Sequence, residues 1–511
     1  MEQKTSANNA AVSRKASATI RSPYTGASDK TSLLDWFASS GDADTDTLSA
    51  LDTLRTRSRD LARNAPAATG TLKTMTDGVI GSGLRFQCAI DKGFIDISDE
   101  EAIQWQEKTE LEFKLWSESA ECDFSRRLDF GGLQYLAFKE KFCGGDCFVL
   151  LPYVQRPMMP YDLRIQLIEA ERITNHNDLP DTDKIRGGIE YSENGVPLAV
   201  HIRSIHPGTI YLSFNNYRPV WKRVPFYGPA TGRRNVLHLM KANRIGQSRG
   251  VPAFAPIIDT LKQISKYNEA ELQAAVVNAM LSVFIKRPTG DVIATGANMD
   301  FYHDENGNPV TPPWERENNY KLGNGTWIDG APGEELQIVN ASRPSPQYDP
   351  FFLSNIKQIG MGVGIPFEIL IKHFSSSYSA SRAAMLDFFK TVLIERKNFD
   401  KDFCQPIYKE WLTEAVIKGY VQAPGYLSNP RVRFAYSGAY FIGETMGSID
   451  PVKEVTASNM LVEYGFSTKQ VEASKLTGMD YKDIARAQAD EKRIAESFNL
   501  PYGKENSEDS I

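Results

Sequence analysis

The chain has 511 residues, 41% hydrophobic and 24% charged, with a formal net charge of −6 at pH 7. That length exceeds one compact core and predicts about three units, because domains usually run about 100–200 residues. The acidic balance argues against a protein that grips nucleic acid, since phosphate contacts supply most of such affinity and need a basic surface; nucleic acid that only slides past is compatible with it.

Residues 1–31, rich in Ala, Ser, Thr and Asn, read as a disordered tail. A helical region is predicted over about 48–80, with Leu51, Leu54 and Leu61 as apolar positions. Its Arg55, Arg57, Arg59 and Arg63 read as a solvated face. A second helix is predicted over about 99–119, with Ile103, Leu111 and Leu115 among its apolar positions, and a third over 130–142, ending at Gly144-Gly145. The texture then changes. Residues 147–151 form a short apolar run bounded by Gly and Pro, hence a strand. Further strands are predicted at 163–168, 185–191, 197–203 and 236–240, and Asn194-Gly195 marks a hairpin between two of them. Residues 120–250 therefore read as an α+β domain with an antiparallel sheet.

A long helix is predicted over 254–285, about 48 Å at 1.5 Å per residue. Pro252 and Pro256 sit near its start, where a missing N–H costs little. Ile257, Leu261 and Ile264 share one face, and Leu272, Ala275 and Ala279 continue the stripe. Such a helix suits a span between layers of an assembly. Residues 287–347, with many Gly, Pro and Asn, read as a small inserted β-rich unit. Asp349-Pro350 starts a helix as N-cap and N1, running to about Met361. Residues 367–379, with Ser375, Ser376, Ser377 and Ser379, read as a mobile loop. The longest helix follows over 380–418. Met385, Phe389, Val392, Phe399 and Phe403 mark its buried stripe, Pro406 should kink it and Gly419 stops it. Three short helices close the chain. Asp450-Pro451 starts the first, Ser467 with Gln470 caps the second as a capping box, and Asp480 starts the third. Residues 501–511 read as a polar, disordered tail.

Five cysteines, Cys88, Cys122, Cys143, Cys147 and Cys404, are odd in number and irregular in spacing. They imply buried thiols and folding in a reducing cytosol rather than a disulfide framework. Residues 1–31 carry no signal-peptide core. The longest apolar stretch, 274–285, falls short of the roughly twenty residues a membrane span needs, so a soluble protein is expected.

Catalytic patterns are few. Gly246-Gln247-Ser248-Arg249-Gly250 matches the G-x-S-x-G elbow of serine hydrolases. That chemistry needs a strand ending at the serine and a helix beginning directly after it. The nearest predicted strand stops at 240, and Pro252 disfavours immediate helix formation, so a tight turn is the better reading. Gly503-Lys504 lies in the terminal tail and makes no phosphate loop. Gly360-x-Gly362-x-Gly364 follows a helix rather than a strand and is no dinucleotide fingerprint. Cys143 and Cys147 lack a second ligand pair, and the six histidines show no metal spacing. No catalytic residue, metal site or cofactor is expected.

Several segments together resemble the lambda-type portal proteins of tailed bacteriophages. They are residues 235–239, Asn-Val-Leu-His-Leu, then Arg244-x-Gly246-Gln247-Ser248-Arg249-Gly250-Val251-Pro252 leading into the long helix. With them go Arg63-Asn64-x-Pro66 followed by Gly81-x-Gly83, and Gly195-x-Pro197 before His206-Pro207-Gly208. The last is Gly364-Ile365-Pro366 followed by Tyr378-Ser379-x-Ser381-Arg382-Ala383-Ala384. Each piece is weak alone, but their order and spacing are specific, and the resemblance covers roughly 50–490. The Ser248 motif falls inside it.

The resemblance implies an α+β portal fold with a wing, a two-helix stem, a β-rich clip insertion, a tunnel loop with a long helix, and a helical crown. The implied boundaries are wing 32–251, stem 252–286 and 348–364, clip 287–347, tunnel loop 365–379, long helix and wing return 380–449, and crown 450–500. It implies a subunit of a homo-oligomeric ring, normally a dodecamer, at the capsid vertex of the virion, assembled in the host cytoplasm. Double-stranded DNA would pass through without specific binding. Implied partners are the terminase large subunit at the clip, the major capsid protein and scaffold, and neck or head–tail completion proteins. Twelve copies at −6 give about −72 formal charges, a field that repels phosphate. Lys372, His373, Ser375, Ser376 and Ser377 are expected to approach the DNA, and Lys262 and Lys266, four apart on one helix face, are weaker candidates. Each lysine has a solvated or inter-subunit position as its alternative. The rival readings are another head–tail adaptor ring and a serine hydrolase using Ser248.

Overall fold

Asp42 caps the first helix, α1 (Ala43–Asn64), by accepting the Thr45 backbone N–H at 2.7 Å. The computed structural model describes residues 40–209, 218–280, 284–286, 302–303, 306, 309–310, 335–337, 347–374, 377–445, 450–479, 481–498 and 500. Pro66, tolerated in a first helical turn but not in a helix interior, opens α2 (Pro66–Val79), so the helical region read over 48–80 is two helices. The arginines divide as well. Arg57 and Arg63 are exposed as expected, whereas Arg55 and Arg59, four apart and hence on one face, turn inward to carboxylates.

β1 (Arg85–Cys88) precedes α3 (Asp99–Ser117), which a full Ser98–Glu101 capping box starts. Its buried face is Ala102, Thr109, Phe113 and Trp116. Leu111 and Leu115 point outward, because the two aromatic rings claim the core side. α4 (Phe130–Gly144) stops at Gly145, whose φ of +92° no β-carbon residue adopts easily.

A three-stranded antiparallel sheet follows, with β2 (Asp146–Leu150) between β3 (Gln166–Glu169) and β8 (Val236–Met240). A second antiparallel sheet orders β4 (Ile185–Arg186), β5 (Ile189–Tyr191), β6 (Pro197–Arg203) and β7 (Trp221–Pro225). The stretch read as one strand over 185–191 folds back at Gly187-Gly188 into two. The Asn194-Gly195 turn stands between β5 and β6, with Gly195 at φ +77°.

A 3-10 turn (Ala255–Ile257) leads into α5 (Ile258–Met280), 23 residues and about 35 Å. The helix is shorter than predicted, because β9 (Phe284–Lys286) is already strand. Described pieces of the insertion are strands too: β10 (Tyr302–His303) pairs with β11 (Pro309–Val310), and β12 (Glu335–Gln337) pairs with β9. α6 (Tyr348–Val363) returns antiparallel to α5. Tyr267 stacks on Tyr348 near one end, and Ile257 meets Gly362 near the other. Gln347, not Asp349, holds the N-cap position; Asp349 lies in the first turn, where its charge still suits the helix dipole.

The front of the predicted loop is a short helix, α7 (Phe367–Ile371). The predicted long helix is α8 (Tyr378–Phe399), a π-turn (Asp400–Cys404) and α9 (Gln405–Ile417). Pro406 cannot donate to the ladder, and the strain is taken up as this wider turn rather than as a break. α10 (Pro430–Tyr436) leads to β13 (Ala439–Ile442), which pairs antiparallel with β1. The main core joins this return to the amino-terminal half: Phe113, Trp116 and Phe130 pack with Phe399, Phe403, Tyr408 and Trp411. The chain closes with α11 (Pro451–Glu463), α12 (Lys469–Thr477) and α13 (Tyr481–Ser497). Thr468, one residue beyond the predicted Ser467, caps α12, while Ser467 donates to Glu472 at 2.6 Å. All five cysteines are buried free thiols. Among the described residues no helix is long and apolar enough to cross a membrane. The predicted tails 1–31 and 501–511 lie outside the described residues.

Candidate functional site

The predicted DNA-facing residues sit on two places, and the segment before each explains its position. After α6, Gly364 turns left-handed at φ +73°, and Ile365 donates its N–H to Gly360 O at 3.0 Å. A β-carbon at Gly360 would stand 2.4 Å from that Ile365 carbonyl, and one at Gly362 would stand 2.5 Å from Ile257. The Gly360-x-Gly362-x-Gly364 run thus serves a tight turn and a close helix crossing. Ile365 is buried, and Ile369 and Leu370 pack against the core. Residues 367–371 are therefore a seated turn, contrary to the mobile-loop reading, because their apolar side chains have a floor to rest on.

Beyond that seat the chain is exposed. Lys372 adopts a left-handed conformation, φ +53°, as its N–H bonds Glu368 O. Lys372, His373 and Phe374 project outward, and Ser377 stands at the N-cap of α8 without a side-chain cap bond. Ser375 and Ser376 lie outside the described residues. Lys262 and Lys266 are exposed on α5, on the face opposite buried Leu261 and Ile264. That apolar face rests on Leu61, Ala65, Ala68 and Leu72 of α1 and α2 and on Ile356 and Ile359 of α6. Lys372 and His373 are exposed just after α7 and Ser377 is exposed at the start of α8; Lys262 and Lys266 belong to a separate helix.

A buried charge cluster around Asp146, at the start of β2, escaped the sequence reading. Arg249 is 1% exposed. Its guanidinium donates to Asp146 Oδ2 at 2.6 Å and to the carbonyls of Ala170, Ile173 and Gly187 at 2.7, 2.9 and 2.6 Å. Asp146 also accepts from Arg55 Nη2 at 2.7 Å, from the Gly250 N–H at 3.1 Å, and faces His238 Nε2 at 3.1 Å. Burial raises the Asp146 carboxyl, but the Arg249 and Arg55 guanidiniums outweigh it and hold the group well below the usual carboxylate range. Burial pushes the His238 imidazole down, against the pull of Asp146. Gly145 and Gly250 cross so closely that a β-carbon on Gly250 would stand 2.0 Å from Gly145 O. One clue existed in the sequence: an aspartate, Asp146, opening an apolar strand. A buried carboxylate requires a cation beside it.

The same geometry settles what Ser248 contacts. It is 3% exposed, and its Oγ donates to Asp44 Oδ2 at 2.6 Å while its N–H donates to Asp44 Oδ1 at 2.7 Å. The partner is a carboxylate on α1, whereas nucleophilic serine chemistry uses a base oriented to take the hydroxyl proton. His238 faces Asp146 instead. A turn at residues 245–246, with Gly246 at φ +83°, opens this stretch, and no strand ends at Ser248 and no helix begins after it.

A sequence profile described as phage portal protein, lambda family, matches residues 29–396. The chain is 26% identical over 496 residues to the portal protein of Escherichia phage N15, covering 92% of this chain and 89% of that protein. It is 25% identical over 454 residues to portal protein B of Escherichia phage lambda, covering 85% and 82%. A solved chain from the neck of an empty GTA particle superposes with a TM-score of 0.44 at 12% identity, covering 81% of this chain and 92% of that chain.

Proposed function

The chain belongs to the lambda family of phage portal proteins, and from that premise we propose that it works as a non-enzymatic, ring-forming subunit at the capsid vertex, normally one of twelve, through which double-stranded DNA is packaged and ejected. The observation that carries this reading is the family match over residues 29–396, which spans β1 to β12, the α5–α6 pair and the exposed Lys372 and His373. In this reading residues 32–251 are the wing and 252–286 with 348–364 the stem. Residues 287–347 are the clip, 365–379 the tunnel loop, 380–449 the long helix and wing return, and 450–500 the crown.

A channel that passes DNA must not hold it. The overall acidity repels phosphate, and a few short or mobile side chains on a firmly seated apex would give weak, smeared contacts. Lys372, His373 and Ser375–377 take that role, with Lys262 and Lys266 as secondary positions on the stem. The apolar seat of Ile369 and Leu370 supports it, since it fixes the height of the apex while leaving Lys372 and His373 in solvent. The packaging motor is then a separate protein, the terminase large subunit, docking at the clip before neck proteins replace it. The wing and crown would meet the major capsid protein and scaffold, with assembly in the host cytoplasm.

Deleting residues 372–377 tests the apex. Rings should still form by electron microscopy while DNA packaging or genome retention falls; normal DNA filling would remove the tunnel-loop assignment. Purified protein that stays monomeric under all assembly conditions would remove the ring.

A further inference from the structure

On a chain of net charge −6, one groove gathers five cations. It opens between the β7–β8 connection and the π-turn, encloses about 800 Å3, and is lined by Arg234, Lys397, Lys401, Lys409 and Arg433. The helix makes the spacing: Lys397 and Lys401 are four apart across the end of α8, and Lys409 follows two turns on in α9. All three lysines are exposed, and among the described residues none of them forms an ion pair. Elsewhere in the fold basic groups such as Arg55, Arg59, Arg223 and Lys418 have carboxylate partners. Like charges converging on one concavity repel each other and focus a field that draws in anions.

Two carboxylates line the same groove. Glu410 is engaged: it accepts the Arg234 backbone N–H at 3.2 Å and lies 3.4 Å from Arg233 Nε. Asp400 is not. Its Oδ1 has no hydrogen-bond partner, and its Oδ2 has only the Gln405 amide at 3.5 Å. Burial pushes this carboxyl up to about 6.

We propose that this groove docks an acidic peptide segment of a partner protein, its carboxylates set among Lys397, Lys401 and Lys409. The volume falls in the range of sites that take small ligands or a few side chains. Tyr227, 52% exposed, and Pro406 supply an apolar wall for the stems of glutamates. Duplex DNA is stiff over about 150 base pairs, so it would touch only the rim and would carry phosphates over Glu410 and Asp400. Flexible side-chain carboxylates can enter beside those groups.

Fluorescence anisotropy of the full-length protein with a fluorescein-labelled Glu/Ser/Gly repeat peptide reads the site. Saturable binding that weakens with salt is expected, at least tenfold weaker in Lys397→Glu/Lys401→Glu/Lys409→Glu. The milder Lys397→Gln/Lys401→Gln, at exposed positions, should weaken it in the same direction should the triple variant misfold. Carbodiimide cross-linking should join the peptide to these lysines. Absent binding, equal affinity in both variants, cross-links elsewhere, or short duplex DNA held more tightly by the same lysines would overturn the proposal.

Discussion

Arg249 and Asp146 meet at 2.6 Å, nine residues before α5 begins, with side chains 2% and 0% exposed. This bond ties the start of the α5 segment to β2, while the same guanidinium holds carbonyls of the 170–173 turn and of Gly187. Removing Arg249 leaves three buried carbonyls without this donor and Asp146 with Arg55 as its one remaining guanidinium, at about 3 kcal/mol, the lower end for breaking a buried pair. Arg249→Ala should lower stability by that much in urea unfolding of the full chain. Arg249→Lys should recover little of it, because one ammonium cannot reproduce a planar fork reaching four acceptors. An unfolding midpoint at the wild-type value would refute the tie.

Ser248→Ala separates the two meanings of the G-x-S-x-G motif. The hydroxyl donates to Asp44, a bond whose loss should cost about 1–2 kcal/mol, softened by the N–H donor that Asp44 keeps. Hydrolysis of an activated ester should be the same for wild type and variant. An esterase rate that disappears with the hydroxyl would restore the nucleophile.

Much of the element order was legible because it rests on local signals: Gly145 and Gly419 after helices, Pro451 at the start of one, and Asn194-Gly195 at a hairpin. What stayed hidden depends on long-range pairing. β1 and β13 are four residues each, and each makes sense only beside the other across some 350 positions. The inward turn of Arg55 and Arg59 is set by Asp146, Glu140 and Glu171, which helix periodicity cannot announce. The overrun of α5 has a different cause, an apolar stretch that serves helix and strand equally well. At the site, the exposure of Lys372 and His373 agrees with their place beside a Ser-rich segment, whereas the seated turn before them required knowing what lay under Ile369 and Leu370.

Gly360 and Gly362 should respond unequally to a methyl group. At Gly360 the new β-carbon meets the Ile365 carbonyl, which the tight turn fixes; at Gly362 it meets a side-chain methyl of Ile257, which yields more readily than backbone. Overpacking costs about 1–3 kcal/mol. Gly360→Ala should fall at the upper end, loosen the apex and increase proteolytic cutting near residue 372, while Gly362→Ala should stay near the lower end. Equal sensitivity of the two would contradict the turn geometry.

Lys372 offers a test in which stability and function move apart. A non-glycine residue in the left-handed region costs about 1–2 kcal/mol, so Lys372→Gly should stabilise the protein by about 1 kcal/mol. Should its charge guide DNA, packaging efficiency would drop in this more stable variant. Unchanged packaging alongside the gain in stability would mark Lys372 as a solvated residue only.

Asp400 makes stability depend on pH with a definite sign. Its carboxyl has an ordinary value of 3.8 and is raised by burial to about 6 in the folded chain. Between those two values the folded state keeps a proton that the unfolded state has released, so this group's contribution to stability falls as pH climbs from about 4 to about 6 and stays low above that. Burial is incomplete, and solvent screening reduces the penalty to about 1 kcal/mol. Asp400→Asn keeps the shape and the Gln405 contact but has nothing to ionise. It should be more stable than the wild type above pH 6, with the difference closing toward pH 4. Asp402 and Glu410, whose carboxyls burial also raises, titrate in both proteins and cancel from that difference. A stability difference that is flat with pH, or that widens on acidification, would show that Asp400 is not the group responsible.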